Sequence, residues 1–158
     1  MGTEIERKFI LRAVPEWVSE TEGSAIRQGY LAAGAGAEVR VRLRDGSPRL
    51  TVKRGEGLAR DETEIDLADA QFAALWPLTE GQRIEKTRYR HPLGDLTLEV
   101  DVYEGPHAGL VVAEIEFASI AESRSFEPPD WLGREVTGDE RWANRSLALA
   151  AEMPAIAE

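Results

Sequence analysis

Charged residues alternate with apolar ones in short runs along this chain, and the charges are sorted by sign. Carboxylates stand two residues apart in "EIERKF" (Glu4, Glu6), "ETEIDL" (Glu62, Glu64, Asp66), "LEVDVY" (Glu99, Asp101) and "AEIEF" (Glu114, Glu116). Cations do the same in "VRVRLR" (Arg40, Arg42, Arg44) and "EKTRY" (Lys86, Arg88), and Lys53 alternates with apolar neighbours in "LTVKR"; Lys8 is the main exception to the sorting. In a strand each such set leaves one face. Carboxylate clusters without cysteine or histidine suit hard divalent cations such as Mg²⁺ or Mn²⁺. The two histidines, His91 and His107, each adjoin a proline and read as turn residues. Arg and Lys clusters suit a polyanion, with Arg able to grip phosphate oxygens in bidentate fashion. Metal, cationic side chains and a polyphosphate together are the equipment of phosphoryl transfer. No Gly-rich phosphate loop is present, so side chains must hold the phosphates.

An antiparallel sheet with one wet face gives the same alternation. Two details weigh against it here. Solvated faces mix their charges, whereas these are sorted by strand. Carboxylates at i and i+2 sit ~7 Å apart and repel by roughly 2 kcal/mol at an effective dielectric of ~20. A doublet repeated on four strands points to a ligand that relieves the repulsion.

The elements that must position these residues are mostly strands. Alternation predicts them near 3–10, 26–31, 38–44, 49–54, 61–67, 83–90, 96–103 and 111–118. "RDGSPR" at 44–49 is a hairpin turn, since Asp-Gly favours positive φ, and "HPLGD" at 91–95 is a second. "AAGAG" at 32–36 reads as a flexible loop, and "PEWVSETEGS" at 15–24 as a turn of helix followed by a loop. Helices are expected at 68–77, ending at Pro77, at 119–126, with Ser119 and Glu122 in a capping-box pattern, and at 139–153. The class is strand-dominated α+β, and many sequential antiparallel strands point to a barrel or a strongly curved sheet.

The 158 residues, 42% hydrophobic and 30% charged, fit a single domain spanning 1–158. There is no cysteine, which excludes disulfides and thiol catalysis. The net charge of −10 argues against nucleic-acid binding, though a local cationic cleft focuses its own field. No signal peptide and no run near the ~18 apolar residues of a membrane span is visible. The expectation is a soluble cytoplasmic protein with no membrane partner.

The ordered series "EIERKF", "RQGYL", "VRVRL", "LTVKRG", "ETEI", "EKTRY", "LEVDVY", "AEIEF" resembles the CYTH superfamily, the triphosphate tunnel metalloenzymes, whose E-x-E-x-K signature matches Glu4-Ile5-Glu6-Arg7-Lys8. The likeness spans residues 3 to about 118, and "EVTGDERWANRSLA" at 135–148 is similar to the family's C-terminal region. The resemblance implies a closed eight-stranded antiparallel barrel with charges pointing inward to form a tunnel. It implies metal ligands at Glu4, Glu6, Glu62, Glu64, Asp101, Glu114 and Glu116, with Glu99 as a further acidic position. It implies triphosphate ligands at Lys8, Arg40, Arg42, Lys53, Lys86 and Arg88, with Arg44 and Arg90 at the barrel mouths. Tyr30 in "RQGYL" matches a family tyrosine near the motif lysine: with Lys8 it is a candidate proton acceptor or water positioner, or else a wall aromatic.

The implied reaction is hydrolysis of inorganic tripolyphosphate to diphosphate and phosphate with two Mg²⁺ or Mn²⁺ ions, Lys86, Arg88 and Arg42 stabilising the departing diphosphate. Thiamine triphosphatase, nucleoside triphosphatase and class IV adenylyl cyclase use the same scaffold. A polyphosphate- or nucleotide-binding module without catalysis would need the cations but fewer carboxylates. A lipocalin-like carrier would leave the sorting unexplained. Apolar side chains on the outward face need cover from the helices and from a homodimer partner.

Overall fold

The computed structural model describes residues 5–55 and 61–156, so the candidate ligand Glu4 lies outside the described residues. Nine strands form one sheet: β1 (Ile5–Ile10), β2 (Ser24–Gly34), β3 (Ala37–Arg44), β4 (Ser47–Arg54), β5 (Asp61–Asp66), β6 (Arg83–Leu93), β7 (Leu96–Glu104), β8 (Val111–Phe117) and the two-residue β9 (Arg134–Glu135). The order is β5-β4-β3-β2-β6-β7-β8-β1-β9, every pair antiparallel. All eight expected strands are present. β2 runs further than expected, through Gly34, by taking a bulge between Tyr30 and Ala32. Asp45 and Gly46 make the β3–β4 turn with φ of 49° and 82°, the positive values that a two-residue hairpin requires.

The sheet is open, in contrast to the closed eight-stranded barrel that was expected. The reason lies at the outer edge of β1. There β9 pairs with Phe9 and Ile10, the Val136 N–H donates to the Lys8 carbonyl, and the Lys8 N–H donates to Thr137 Oγ1 at 3.0 Å. With that edge occupied, no pairing joins it to β5 among the described residues, and β5 is exposed along its whole length.

The two faces differ sharply. One carries Phe9, Leu98, Val100, Ala113, Ile115 and Phe117, all buried with Leu11, Val111 and Leu132 in one apolar cluster that Trp17 and Phe126 extend. The cover comes from a 3-10 turn (Glu16–Glu20), helix α2 (Ile120–Ser125) and a 3-10 turn (Asp130–Leu132). Ser119 caps α2 as expected, its hydroxyl accepting from the Glu122 N–H at 3.1 Å. Helix α1 (Asp69–Leu75) lies against β4, and the 3-10 turn that follows it (Trp76–Thr79) lies on β2. Gly29 permits that approach, because a Cβ there would overlap the Thr79 side chain. Beyond the reach of α1, Val52 on β4 and Ile65 on β5 stay 38% and 50% exposed.

The C-terminal segment departs from the single helix expected over 139–153. A 3-10 turn (Glu140–Trp142) ends at Ala143, which is extended at φ −67° and ψ 146°, and helix α3 (Asn144–Leu149) starts anew. The break lets Trp142 and Leu147 both bury against the sheet. They join Ile10, Tyr30, Ile84, Tyr103 and Val112 in a second apolar cluster. No helix among the described residues is long and apolar enough to cross a membrane.

Candidate active site

Strand register decides which charges meet. Side chains directly opposite each other across a pair share a face, and the pairings put every stripe on the same side of the sheet. One row reads Lys8, Glu114, Glu99, Arg90 from β1 to β6. The next reads Ile10, Val112, Asp101, Arg88, and the next Tyr103, Lys86, Ile26, Arg44. Further along come Ile84, Gln28, Arg42, Arg49, Asp66, then Tyr30, Arg40, Thr51, Glu64 and finally Glu38, Lys53, Glu62. The charged face is recessed: the Lys8, Arg40 and Arg88 side chains are only 19%, 17% and 19% exposed. The second apolar cluster lies on this same face and fills it next to the charges.

The rows also revise the electrostatic argument. Carboxylates that repel along a strand find cations on the neighbouring strand. Lys8 Nζ lies 3.3 Å from Glu114, Arg90 3.4 Å from Glu99, and Arg49 2.9 Å from Glu64 and 3.3 Å from Asp66. Much of the within-strand repulsion is therefore offset inside the protein, without a ligand.

Some cations also remain without a counter-charge. Among the described residues Arg42, Arg44 and Lys53 make no ion pair. Arg42 stands opposite Arg49, and its pKa is pushed down by burial and then by the neighbouring Arg40. Arg40 donates to Glu38 at 3.3 Å, but its buried Nε has no partner. A half-buried guanidinium whose charge is disfavoured at rest is well suited to an anion.

Asp101 is 3% exposed and its oxygens are engaged. Lys86 Nζ donates to Oδ2 at 2.8 Å, and Arg88 donates to Oδ1 and Oδ2 at 2.8 and 2.9 Å. Burial pushes its carboxyl up, but the Arg88 hydrogen bonds and both cations outweigh this and hold it below the usual carboxylate range. The carboxylate raises the Arg88 pKa through the same bonds. Lys86, 4% exposed, has its pKa lowered by burial in spite of Asp101.

The structure brings Glu6, Glu99, Glu114 and Glu116 to one cavity of about 540 Å³, which Arg90 also lines. Glu6 and Glu116 face each other directly across β1 and β8, a like-charge pairing that a hard cation relieves. Glu99 Oε2 is already flanked by Arg88 and Arg90, at 3.5 and 3.4 Å. The Glu6–Glu116 pairing has donor chemistry that suits a hard divalent cation, although no three carboxylates among the described residues converge at ligating geometry. Glu62 and Glu64 are not brought to this cavity. They lie on β5, at the far edge of the sheet order.

Lys8 and Tyr30 are held by different groups. Lys8 Nζ sits on Glu114 and donates to the Trp142 carbonyl at 3.3 Å. Tyr30 is 1% exposed, and its hydroxyl accepts from Gln28 Nε2 at 2.9 Å. Burial raises its pKa, while Arg40 pulls in the opposite direction.

A family model described as CYTH domain matches residues 2–144. The chain belongs to the CYTH domain family. It is 43% identical over 150 residues to an inorganic triphosphatase of Nitrosomonas europaea, covering 94% of this chain and 98% of that protein. It is 40% identical over 149 residues to an inorganic triphosphatase of Acetivibrio thermocellus, covering 93% and 94%. A crystal structure of an inorganic triphosphatase superposes with a TM-score of 0.82 at 40% identity, covering 96% of this chain and 98% of that one. A putative adenylate cyclase from Bacillus halodurans, 18% identical with a TM-score of 0.52, shares the fold over 77% of this chain.

In this CYTH domain several residues around the site carried no signal in the alternation. Arg49 extends the β4 stripe by one position before the run that stood out. Gln28 and Glu38 are buried polar residues on the charged face. Thr137, Arg145 and Ser146 line a cavity of about 750 Å³ with Glu6 and Lys8. Asn144 Oδ1 accepts from Lys86 and Tyr103, an irregular contact from outside the sheet that strand periodicity could not reveal.

Proposed function

We propose that this protein hydrolyses inorganic tripolyphosphate to diphosphate and phosphate on the recessed charged face of its sheet. The observation that carries the reading is the half-buried Arg42, which makes no ion pair among the described residues while Arg40 lies beside it and Arg49 opposite. Identity of 43% and 40% to proteins named inorganic triphosphatase supports the choice of substrate over organic triphosphates. Arg40, Arg42, Lys53 and Arg88 bind phosphate oxygens. Lys86 and Arg88, anchored by Asp101, stabilise charge on the departing diphosphate. Lys8, held by Glu114 and the Trp142 carbonyl, binds at the other side of the site.

Glu6, Glu114 and Glu116, with Glu4 and Glu99, would hold two Mg²⁺ or Mn²⁺ ions, and such ions supply charge neutralisation and an activated water. Asp101 serves first as an anchor for cations. Glu62 and Glu64 face the same side of the sheet as the cations and, beside Lys53 and Arg49, would add acidic ligands at its β5 end. Tyr30 accepts a proton in the alkaline range, where its phenolate is populated. The protein works in the cytoplasm on the free polyanion.

The test is phosphate release from tripolyphosphate, ATP and thiamine triphosphate with Mg²⁺, with Mn²⁺ and with EDTA. Metal-dependent release that favours tripolyphosphate is expected. Preference for either organic substrate would overturn the choice of substrate. Binding without turnover in saturating metal would make the protein a polyphosphate-binding module.

A further inference from the structure

Lys86 is buried at 4% exposure and its ammonium has three protons to place. Asp101 Oδ2 accepts one at 2.8 Å and Asn144 Oδ1 accepts another at 3.3 Å. The same Asn144 oxygen accepts the Tyr103 hydroxyl at 2.6 Å, and the Tyr103 ring centroid lies 5.4 Å from Lys86 Nζ. Asp101 approaches from β7 and Asn144 from the first position of α3, outside the sheet. Two fixed acceptors on different elements set the direction of the third N–H.

We infer that Asn144 is a positioning residue for Lys86: its side-chain oxygen, fixed by Tyr103, aims the ammonium at the bound polyanion. The inference rests on the proposed role of Lys86 in gripping tripolyphosphate. It gives the break at Ala143 a purpose. The extended residue ends the 3-10 turn, so that the Trp142 carbonyl reaches Lys8 while the Asn144 side chain reaches Lys86. The C-terminal segment thereby holds two lysines that lie 78 positions apart in the chain.

The experiment combines a lysine-ammonium NMR spectrum with a double-mutant cycle. Asn144→Leu keeps the shape and removes the acceptor; Asn144→Asp keeps the acceptor. The Lys86 ammonium signal is expected to be observable and slow to exchange in the parent protein and in Asn144→Asp. In Asn144→Leu it is expected to shift and to broaden by faster exchange. This readout does not depend on turnover. On tripolyphosphate, Asn144→Leu is expected to lower kcat/KM by about 10-fold or more, since hydrogen bonds to charged groups are worth about 1.5–3 kcal/mol. In a Lys86→Met background the same change is expected to cost less than about twofold, because the group it acts through is gone.

An unchanged Lys86 signal in a folded Asn144→Leu protein overturns the positioning role, and so does an equal penalty in both backgrounds. If the parent neither binds nor hydrolyses tripolyphosphate, the proposed function fails; the ammonium signal still decides whether Asn144 holds Lys86. Partial unfolding of Asn144→Leu would show as a lowered Tm. Asn144→Asp, which retains the signal only if the acceptor is what matters, then decides.

Discussion

Lys86 and Asp101 form an ion pair at 2.8 Å with both side chains at most 5% exposed, and Arg88 holds the same carboxylate through two hydrogen bonds, one to each oxygen. A carboxylate this buried is tolerable only because two cations and their hydrogen bonds surround it. The arrangement fixes the orientation of both cations on the recessed charged face.

Asp101→Asn should therefore destabilise the protein by about 3–5 kcal/mol, because it leaves Lys86 and Arg88 crowded without their counter-charge. Urea unfolding measures this. The pH dependence has a definite sign. The folded pKa of Asp101 lies below the unfolded value of ~3.9. Its stabilisation is present above that unfolded value and is lost as pH falls through the folded pKa. Lys86 has a folded pKa below its unfolded value of ~10.4. Between those two values the unfolded chain binds more protons, so stability rises with pH there. An acid limb of equal steepness in parent and Asp101→Asn would remove Asp101 as its source.

Glu6 and Glu116 oppose each other across β1 and β8 and both are exposed. Neutralising Glu116 should leave the fold intact or slightly steadier, since like charges directly opposite repel. Metal-dependent phosphate release should nevertheless fall by at least about 10- to 100-fold in Glu6→Gln and in Glu116→Gln, since losing even a group that only orients a metal's ligands costs that much. Calorimetric titration with Mn²⁺ should show the same loss without substrate. Normal metal binding in both variants would move the metals elsewhere on the face.

All eight long strands could be read from the alternation, because a half-buried strand must alternate whatever its partners are. β9 could not be read, since two residues carry no period, and yet that pairing occupies the edge of β1 and leaves the sheet open. The Asp45–Gly46 turn was legible through its positive φ, whereas the bulge after Tyr30 left no composition signature. The stripes themselves were legible, but their meaning depended on register. Lys8 meeting Glu114, and Arg90 meeting Glu99, turned apparent like-charge strain into cross-strand pairs. Asn144 was invisible because a single side chain reaching in from a helix end has no pattern around it.

Arg42 offers a trade between stability and binding. Burial and Arg40 both disfavour its charge, and Arg49 stands opposite. Arg42→Met keeps much of the side-chain length and removes the charge, so thermal stability should hold or rise by up to about 1 kcal/mol. Tripolyphosphate affinity should fall by about 10-fold or more, the scale of a lost charge-assisted contact. Isothermal titration alongside a melting curve checks both signs. A variant that melts lower and binds normally would make Arg42 a structural cation.

Tyr30 separates a proton acceptor from a wall residue by its pH dependence. Burial raises its pKa above the ordinary ~10, with Arg40 only partly opposing. Its phenolate is therefore scarce at neutral pH and grows as pH rises. If Tyr30 accepts a proton from the attacking water, kcat should climb through the alkaline range, tenfold per pH unit while the phenolate is the minor form. Tyr30→Phe should abolish that climb and lower stability by about 1 kcal/mol, through the lost hydrogen bond from Gln28. A rate profile that is the same in both proteins would make Tyr30 part of the apolar wall it shares with Ile84, Tyr103 and Trp142.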